Sequence, residues 1–242
     1  MKTLPLFALA STLGLVACGD DGGGMMAMPD APSNIPAMIT ISGIASEITA
    51  GGRTPQAGVT VTVYRASDDS VQGMATTDAA GAYSIMVATN GAPVDGYLKA
   101  TLTGLKDTYL YPPFALSSDF SGATTLMLKQ STQNLANQLA GAAAPDPTKG
   151  WIALLVVDGP TTGANPVMGA TISAMPGGEI KYNGSAGVPQ AQATSTAMDG
   201  IAYAMNVPAG SVTVNASKTG INFKAHAVNA RPDKVTLTLV TP

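Results

Sequence analysis

Cysteine and histidine each occur once in these 242 residues. A single cysteine excludes a disulfide framework and any site built from paired thiolates. A single histidine, His226, cannot supply the two or three imidazoles of a zinc or iron centre. It lies in an alternating run, residues 223–228, and is expected on a strand face or rim. No Gly-x-Ser-x-Gly elbow is present, so a serine nucleophile has no strained turn to sit on. Charged residues are 11% of the chain and the formal net charge is −3. No basic patch is visible, and nucleic acid is excluded as a partner. Gly22-Gly23-Gly24 precedes no helix and is no phosphate cradle. The acidic pairs Asp20-Asp21 and Asp68-Asp69 lack the later ligands of a calcium loop and read as solvated turns. No cofactor, no metal and no enzymatic activity are expected.

What is present begins at the amino end. Met1-Lys2-Thr3 carries one positive charge, and residues 4–15 form a short apolar run closed by Leu15-Val16-Ala17-Cys18. A charged start, a short greasy middle and small residues before a cut are the layout of a secretory signal. The middle is too short to span a bilayer, which takes about 20 residues. No later run is long enough to add a second anchor. Leu-Val-Ala-Cys resembles the lipobox of bacterial lipoproteins. The resemblance implies removal of residues 1–17, lipidation of Cys18 and three acyl chains. Each buried CH₂ anchors by about 0.8 kcal/mol, so several chains together hold a protein on a membrane. The membrane, reached through the lipid on Cys18, is the first expected partner. Gly19, where an Asp would imply retention at the inner membrane, points to the outer one. The expected address is therefore exported, in the cell envelope and lipid-anchored.

Residues 18–37 are rich in glycine, proline and acid, and are expected to form a flexible tether. Met25, Met26 and Met28 are thioethers that suit soft copper(I). With no His or Cys beside them and no repeat of the motif, metal binding is not expected there. From Ile39 the texture changes to short alternating runs with Thr, Val and Ala, separated by Gly, Pro, Ser and Asp turns. Seven such runs at roughly ten-residue spacing fill the stretch to residue 129, the pattern of an antiparallel sandwich. Between residues 130 and 149 the period shifts. Leu135 and Leu139 fall at i, i+4 beside Ala136 and Ala140, which predicts a short helix stopped by Gly141 and Pro145. Residues 151–157 then form a continuous apolar run, expected to be buried on both faces.

The second half repeats the first. Pro166-Val167-Met168-Gly169-Ala170 matches Pro55-Gln56-Ala57-Gly58-Val59, and Thr196-Ala197-Met198-Asp199-Gly200-Ile201-Ala202-Tyr203 echoes Thr76-Thr77-Asp78-Ala79-Ala80-Gly81-Ala82-Tyr83. Val207-Pro208-Ala209-Gly210 adds a turn. Two copies point to tandem domains rather than a solenoid. These motifs resemble the carboxypeptidase regulatory-like family with its transthyretin-like sandwich. In the second copy Asp199 abuts Gly200, the tyrosine sits at a different offset, and residues 177–188 read as an inserted hairpin.

The expectation is an all-β protein: two tandem seven-stranded antiparallel Greek-key β-sandwiches joined by a short helix and linker. Its parts are a lipoprotein signal peptide (1–17), a tether (18–37), sandwich 1 (38–129), helix and linker (130–149) and sandwich 2 (150–242). For a ligand surface, the densest aromatic cluster is the segment from Tyr109 to Phe114. Tyr109 and Tyr111 fall on one strand face. Either they stack against a ligand together with Phe114, or they cover the core while Pro112 and Pro113 end the strand. Tyr109, Tyr111 and Phe114 are the candidate ligand contacts. The expected function is a non-enzymatic binding or structural module of the cell envelope, in adhesion or carbohydrate contact. One alternative is a scaffold subunit of an envelope assembly, with an envelope protein or polysaccharide as partner. A less favoured one is an unfamiliar metal-dependent hydrolase uniting His226 with acids.

Overall fold

The computed structural model describes residues 34–49, 52–160 and 163–242. Cys18, Gly19 and Met25, Met26 and Met28 lie outside the described residues. The described residues form one compact unit.

The first half runs β1 (Met38–Thr49), β2 (Gly52–Pro55), β3 (Thr60–Arg65), β4 (Val71–Thr76), β5 (Ala82–Ala88), β6 (Gly96–Thr101), β7 (Thr108–Tyr111), β8 (Phe120–Ser121) and β9 (Thr125–Met127). Helix α1 (Gln130–Leu139) follows. The second half runs β10 (Lys149–Val156), β11 (Thr171–Met175), β12 (Glu179–Asn183), β13 (Pro189–Gln190), β14 (Ile201–Pro208), β15 (Gly210–Ser217), β16 (His226–Ala230) and β17 (Val235–Val240). The chain is all-β with one helix between its halves, as its periodicity predicts.

Alternation explains how the layers stack. One sheet has the order β13-β12-β14-β10-β17-β7-β6-β3-β4 and so passes through both halves, joined where β17 pairs in parallel with β7. Successive side chains of its strands enter two different cores. Leu98 and Ala100 of β6, Leu110 of β7, Trp151 of β10 and Leu237 of β17 join Ile39, Ile41, Ile85 and Val87 of β1 and β5 in the first core. Tyr97, Tyr109, Tyr111, Ile152 and Leu154 of the same strands belong to the second, with Val212 and Val214 of β15 and Val228 of β16. The shared sheet is thus the middle layer, between the sheet around β1 and the small sheet β11-β15-β16. Strand β10, central in it, is the run expected to be buried on both faces, and its burial pattern agrees.

The repeat is visible in hydrogen bonds. The Thr77 hydroxyl donates to the Gln56 carbonyl (2.7 Å) and accepts from the Val59 amide (2.9 Å). The Thr196 hydroxyl donates to the Val167 carbonyl (2.6 Å) and accepts from the Ala170 amide (2.9 Å). Gly81 (φ 73°) and Gly200 (φ 67°) follow four residues after these threonines. A Cβ on either would meet the carbonyl oxygen of Ala45 or Val156 at 2.6 Å, so only glycine fits. The equivalence therefore pairs Thr196 with Thr77, one place off the alignment read from sequence. A one-residue slip reverses the face of a strand residue. Ala202 occupies the place of Tyr83, and Tyr203 points the other way to stack on Trp151 (5.0 Å between centroids).

Helix α1 lies where its period predicts, with its two leucines outward. Gln133, Asn137 and Ala140 are buried, while Leu135 and Leu139 are each 45% exposed. The inward face is fixed by polar bonding: the Asn137 side-chain amide donates to the Ala143 carbonyl (2.7 Å) and the Ala142 amide donates to the Asn137 carbonyl (2.9 Å). The small side chains of Ala136 and Ala140 then pack against the first core.

Candidate functional site

Strand register assembles a row of tyrosines. Tyr64 of β3 is opposite Tyr97 of β6, and β6 pairs with β7 in the register that sets Lys99 against Tyr109 and Leu98 against Leu110. Three rings therefore line up across three strands: Tyr64 and Tyr97 stack at 5.3 Å (17° between planes), and Tyr97 and Tyr111 stack at 5.0 Å (24°). Tyr109, two residues before Tyr111 and on the same face, tilts toward Tyr97 at 5.9 Å.

A cation from the other half covers the row. Arg231 stands in the turn between β16 and β17, and its guanidinium carbon lies 4.1 Å from the Tyr109 ring centroid and 4.8 Å from that of Tyr97. Its Nη1 donates to the Tyr111 hydroxyl at 2.6 Å. The same turn carries Asp233, which pairs with the buried Lys106 ammonium, and Lys234, which lies 3.6 Å from Asp107. Asp107 also receives Lys99 at 3.3 Å. Residues 231–234 thus clasp the first half from the second through three separate contacts.

Electrostatics follow from this packing. Burial pushes the Tyr111 phenol up, against the pull of its bond from Arg231. Burial also raises the Tyr97 phenol, helped by its hydrogen bond to Asp69 (2.7 Å). For Arg231, burial opposes the charge, but the Tyr111 bond and the surrounding tyrosines outweigh it and the pKa rises. Arg231 forms no ion pair with a carboxylate among the described residues.

Of the candidate ligand contacts, Tyr109 is 8% and Tyr111 9% exposed, so their rings are packed against Arg231 and the second core rather than laid open. Phe114 is 46% exposed and takes part in no ring stack among the described residues. The three are not brought together as one open face. His226 bonds through Nε2 to the Thr238 hydroxyl (2.7 Å), which also bonds to the Tyr111 carbonyl (2.9 Å). Burial lowers its pKa. Among the described residues no three His, Cys, Asp or Glu side chains gather in a metal-holding group. Sequence reading missed Tyr64, Tyr97 and Arg231. The available signal was Arg231-Pro232-Asp233-Lys234, a dense charged turn in a chain with few charges.

No family profile and no curated protein matches the chain. Among solved structures, the Bacillus anthracis TIE protein is 14% identical over 84% of this chain and 34% of its own, with a TM-score of 0.27. A streptococcal ancillary pilin is 13% identical over 85% of this chain and 62% of its own, with a TM-score of 0.25. GBS52, the minor pilin of Streptococcus agalactiae, is 16% identical over 84% of this chain and 95% of its own, with a TM-score of 0.27. The chain spans about a third of the TIE protein and under two thirds of the ancillary pilin. Scores this low carry no argument about the site or its chemistry.

Proposed function

We propose that this chain is an exported lipoprotein, anchored through lipid on Cys18, whose folded body is a non-enzymatic binding or structural module of the cell envelope. The observation that carries this reading is the sequence Leu15-Val16-Ala17-Cys18 at the end of a short apolar run. In the proposal, residues 1–17 are the removed leader and 18–37 the tether. Two carboxypeptidase regulatory-like domains, 38–129 and 150–242, flank the helix and linker at 130–149. The matched threonine brackets support the repeat. Gly19 supports the outer membrane. No helix among the described residues is long and apolar enough to cross a membrane, so the lipid is the anchor proposed. Metabolic labelling with palmitate and membrane fractionation test it. The intact chain should take up label and sediment with membranes, and Cys18→Ser should do neither. An unlabelled wild type overturns the reading.

A second reading, a scaffold subunit, is favoured by the outward Leu135 and Leu139 of α1. Exposed leucines on a short helix are a docking feature in helix-in-groove assemblies. Envelope co-purification that depends on both leucines would favour it; their replacement without effect would remove it.

A further inference from the structure

The clasp leaves one cation without a carboxylate partner among the described residues, over a tyrosine row whose inner rings are packed into the second core. On the side of the middle sheet that carries the tyrosines, the residues of β3, β6 and β7 form three cross-strand rows. The first row sets Thr60 against Thr101, with Asp107 beside it; the second is Thr62, Lys99 and Tyr109; the third is Tyr64, Tyr97 and Tyr111. The face spans about 13 Å along the strands at about 3.3 Å per residue. At its first row lies an open cleft of about 420 Å³, lined by Gly58, Thr60, Thr101, Gly104 and Asp107 among others. At its third row stands Arg231.

We propose that the half-buried margin of this face binds a carboxylate-bearing polysaccharide, with Arg231 as the ligand of the carboxylate and Tyr64 as the platform for a sugar ring. The site deepens the envelope-binding reading above and rests on it for where the ligand is met. Three observations carry it. A guanidinium has five N–H donors, and Arg231 uses one of them on a protein atom, the Tyr111 hydroxyl. It is half-buried without a carboxylate partner among the described residues, and a partly desolvated cation gains most from an oxyanion that fits its fork. Its guanidinium is held between the Tyr111 hydroxyl and the rings of Tyr109 and Tyr97, so the side chain is ordered before a ligand arrives.

Tyr64 supplies the second half of the recognition. The Tyr97 ring is stacked by both Tyr64 and Tyr111 and lies under Arg231, whereas Tyr64 stacks on Tyr97 alone, ends the row and is half-buried. Its ring lies one stacking distance beyond Tyr97, within the reach of neighbouring units of a sugar polymer. Further along the strands on the same face, the half-buried Lys99, Thr60 and Thr101 carry polar groups. A chain that alternates rings with carboxylates and hydroxyls matches this order of groups. An acidic peptide offers the carboxylates without the rings and is an outcome of the test.

The test uses the full chain in detergent. Retention on immobilised polygalacturonate is compared with its methyl-esterified form and with polyglutamate. The wild type should bind polygalacturonate and bind the ester and the polyglutamate at least about tenfold more weakly. Arg231→Lys and, separately, Tyr64→Leu should each weaken binding by about tenfold or more while circular dichroism is unchanged. Tyr64→Leu leaves the clasp intact and guards against a folding defect in Arg231→Lys. Equal binding of the methyl ester, a preference for polyglutamate, or full binding by Tyr64→Leu overturns the proposal. Because retention is read in detergent, it stands or falls apart from membrane anchoring.

Discussion

His226 has one hydrogen-bonded side-chain neighbour, Thr238, and burial lowers its pKa below the ordinary 6.5. Above pH 6.5 neither folded nor unfolded chain holds the proton, and the residue has no effect. Below it the unfolded chain takes the proton first, so stability declines as pH falls from 6.5 to the depressed native value. Denaturant titrations of His226→Gln should therefore show a smaller loss between pH 7 and about pH 5 than the wild type. An equal loss would place the acid sensitivity elsewhere. The buried tyrosines act at the other end of the scale. Tyr83, Tyr97 and Tyr203 have phenols raised above the ordinary 10.0, in each case first by burial. Stability is then lost as pH climbs past 10, where the unfolded chain ionises and the native one does not. Phenolate absorbance above pH 10 should lag in the native protein and appear together with unfolding. Ionisation of Tyr83, Tyr97 and Tyr203 before unfolding would contradict the burial described here.

Elements were legible in the sequence wherever a short period governed them. Runs such as residues 59–64 alternate so regularly that strand and inward face follow together, and β3 buries Val61 and Val63 as that pattern predicts. Helix α1 was legible by its spacing, but its orientation was not. Leucine pairs mark a helix, whereas the inward face was decided by the bond from Asn137 to Ala143 and by small alanines, which no hydropathy pattern weighs. Arg231 and Tyr111 are 120 residues apart, and a contact that depends on two halves sharing a sheet has no local signature. The threonine brackets give the sharpest test at this scale. Thr77→Val or Thr196→Val keeps the volume and leaves a buried amide and carbonyl without their hydroxyl, at a cost of about 1–3 kcal/mol. Chemical denaturation should show that loss for both, and a loss at one site alone would break the structural equivalence. Leu139→Ser, on the outward face of α1, should change stability by no more than about 0.5 kcal/mol.

At the scale of the molecule, the shared sheet makes one claim that tandem beads would not. Strands β17 and β7 pair along four residues, and the turn at 231–234 grips the first half through Arg231, Asp233 and Lys234. Scanning calorimetry should therefore give one transition whose calorimetric and van't Hoff enthalpies agree. Two separated transitions would mean that the halves unfold independently.

The proposed function rests on residues 15–18. Its most direct measurement is the mass of the amino-terminal peptide of the mature protein from native membranes. The account predicts a peptide that begins at Cys18 and carries diacylglycerol and an amide-linked acyl chain. A peptide that begins elsewhere, or an unmodified Cys18, contradicts it.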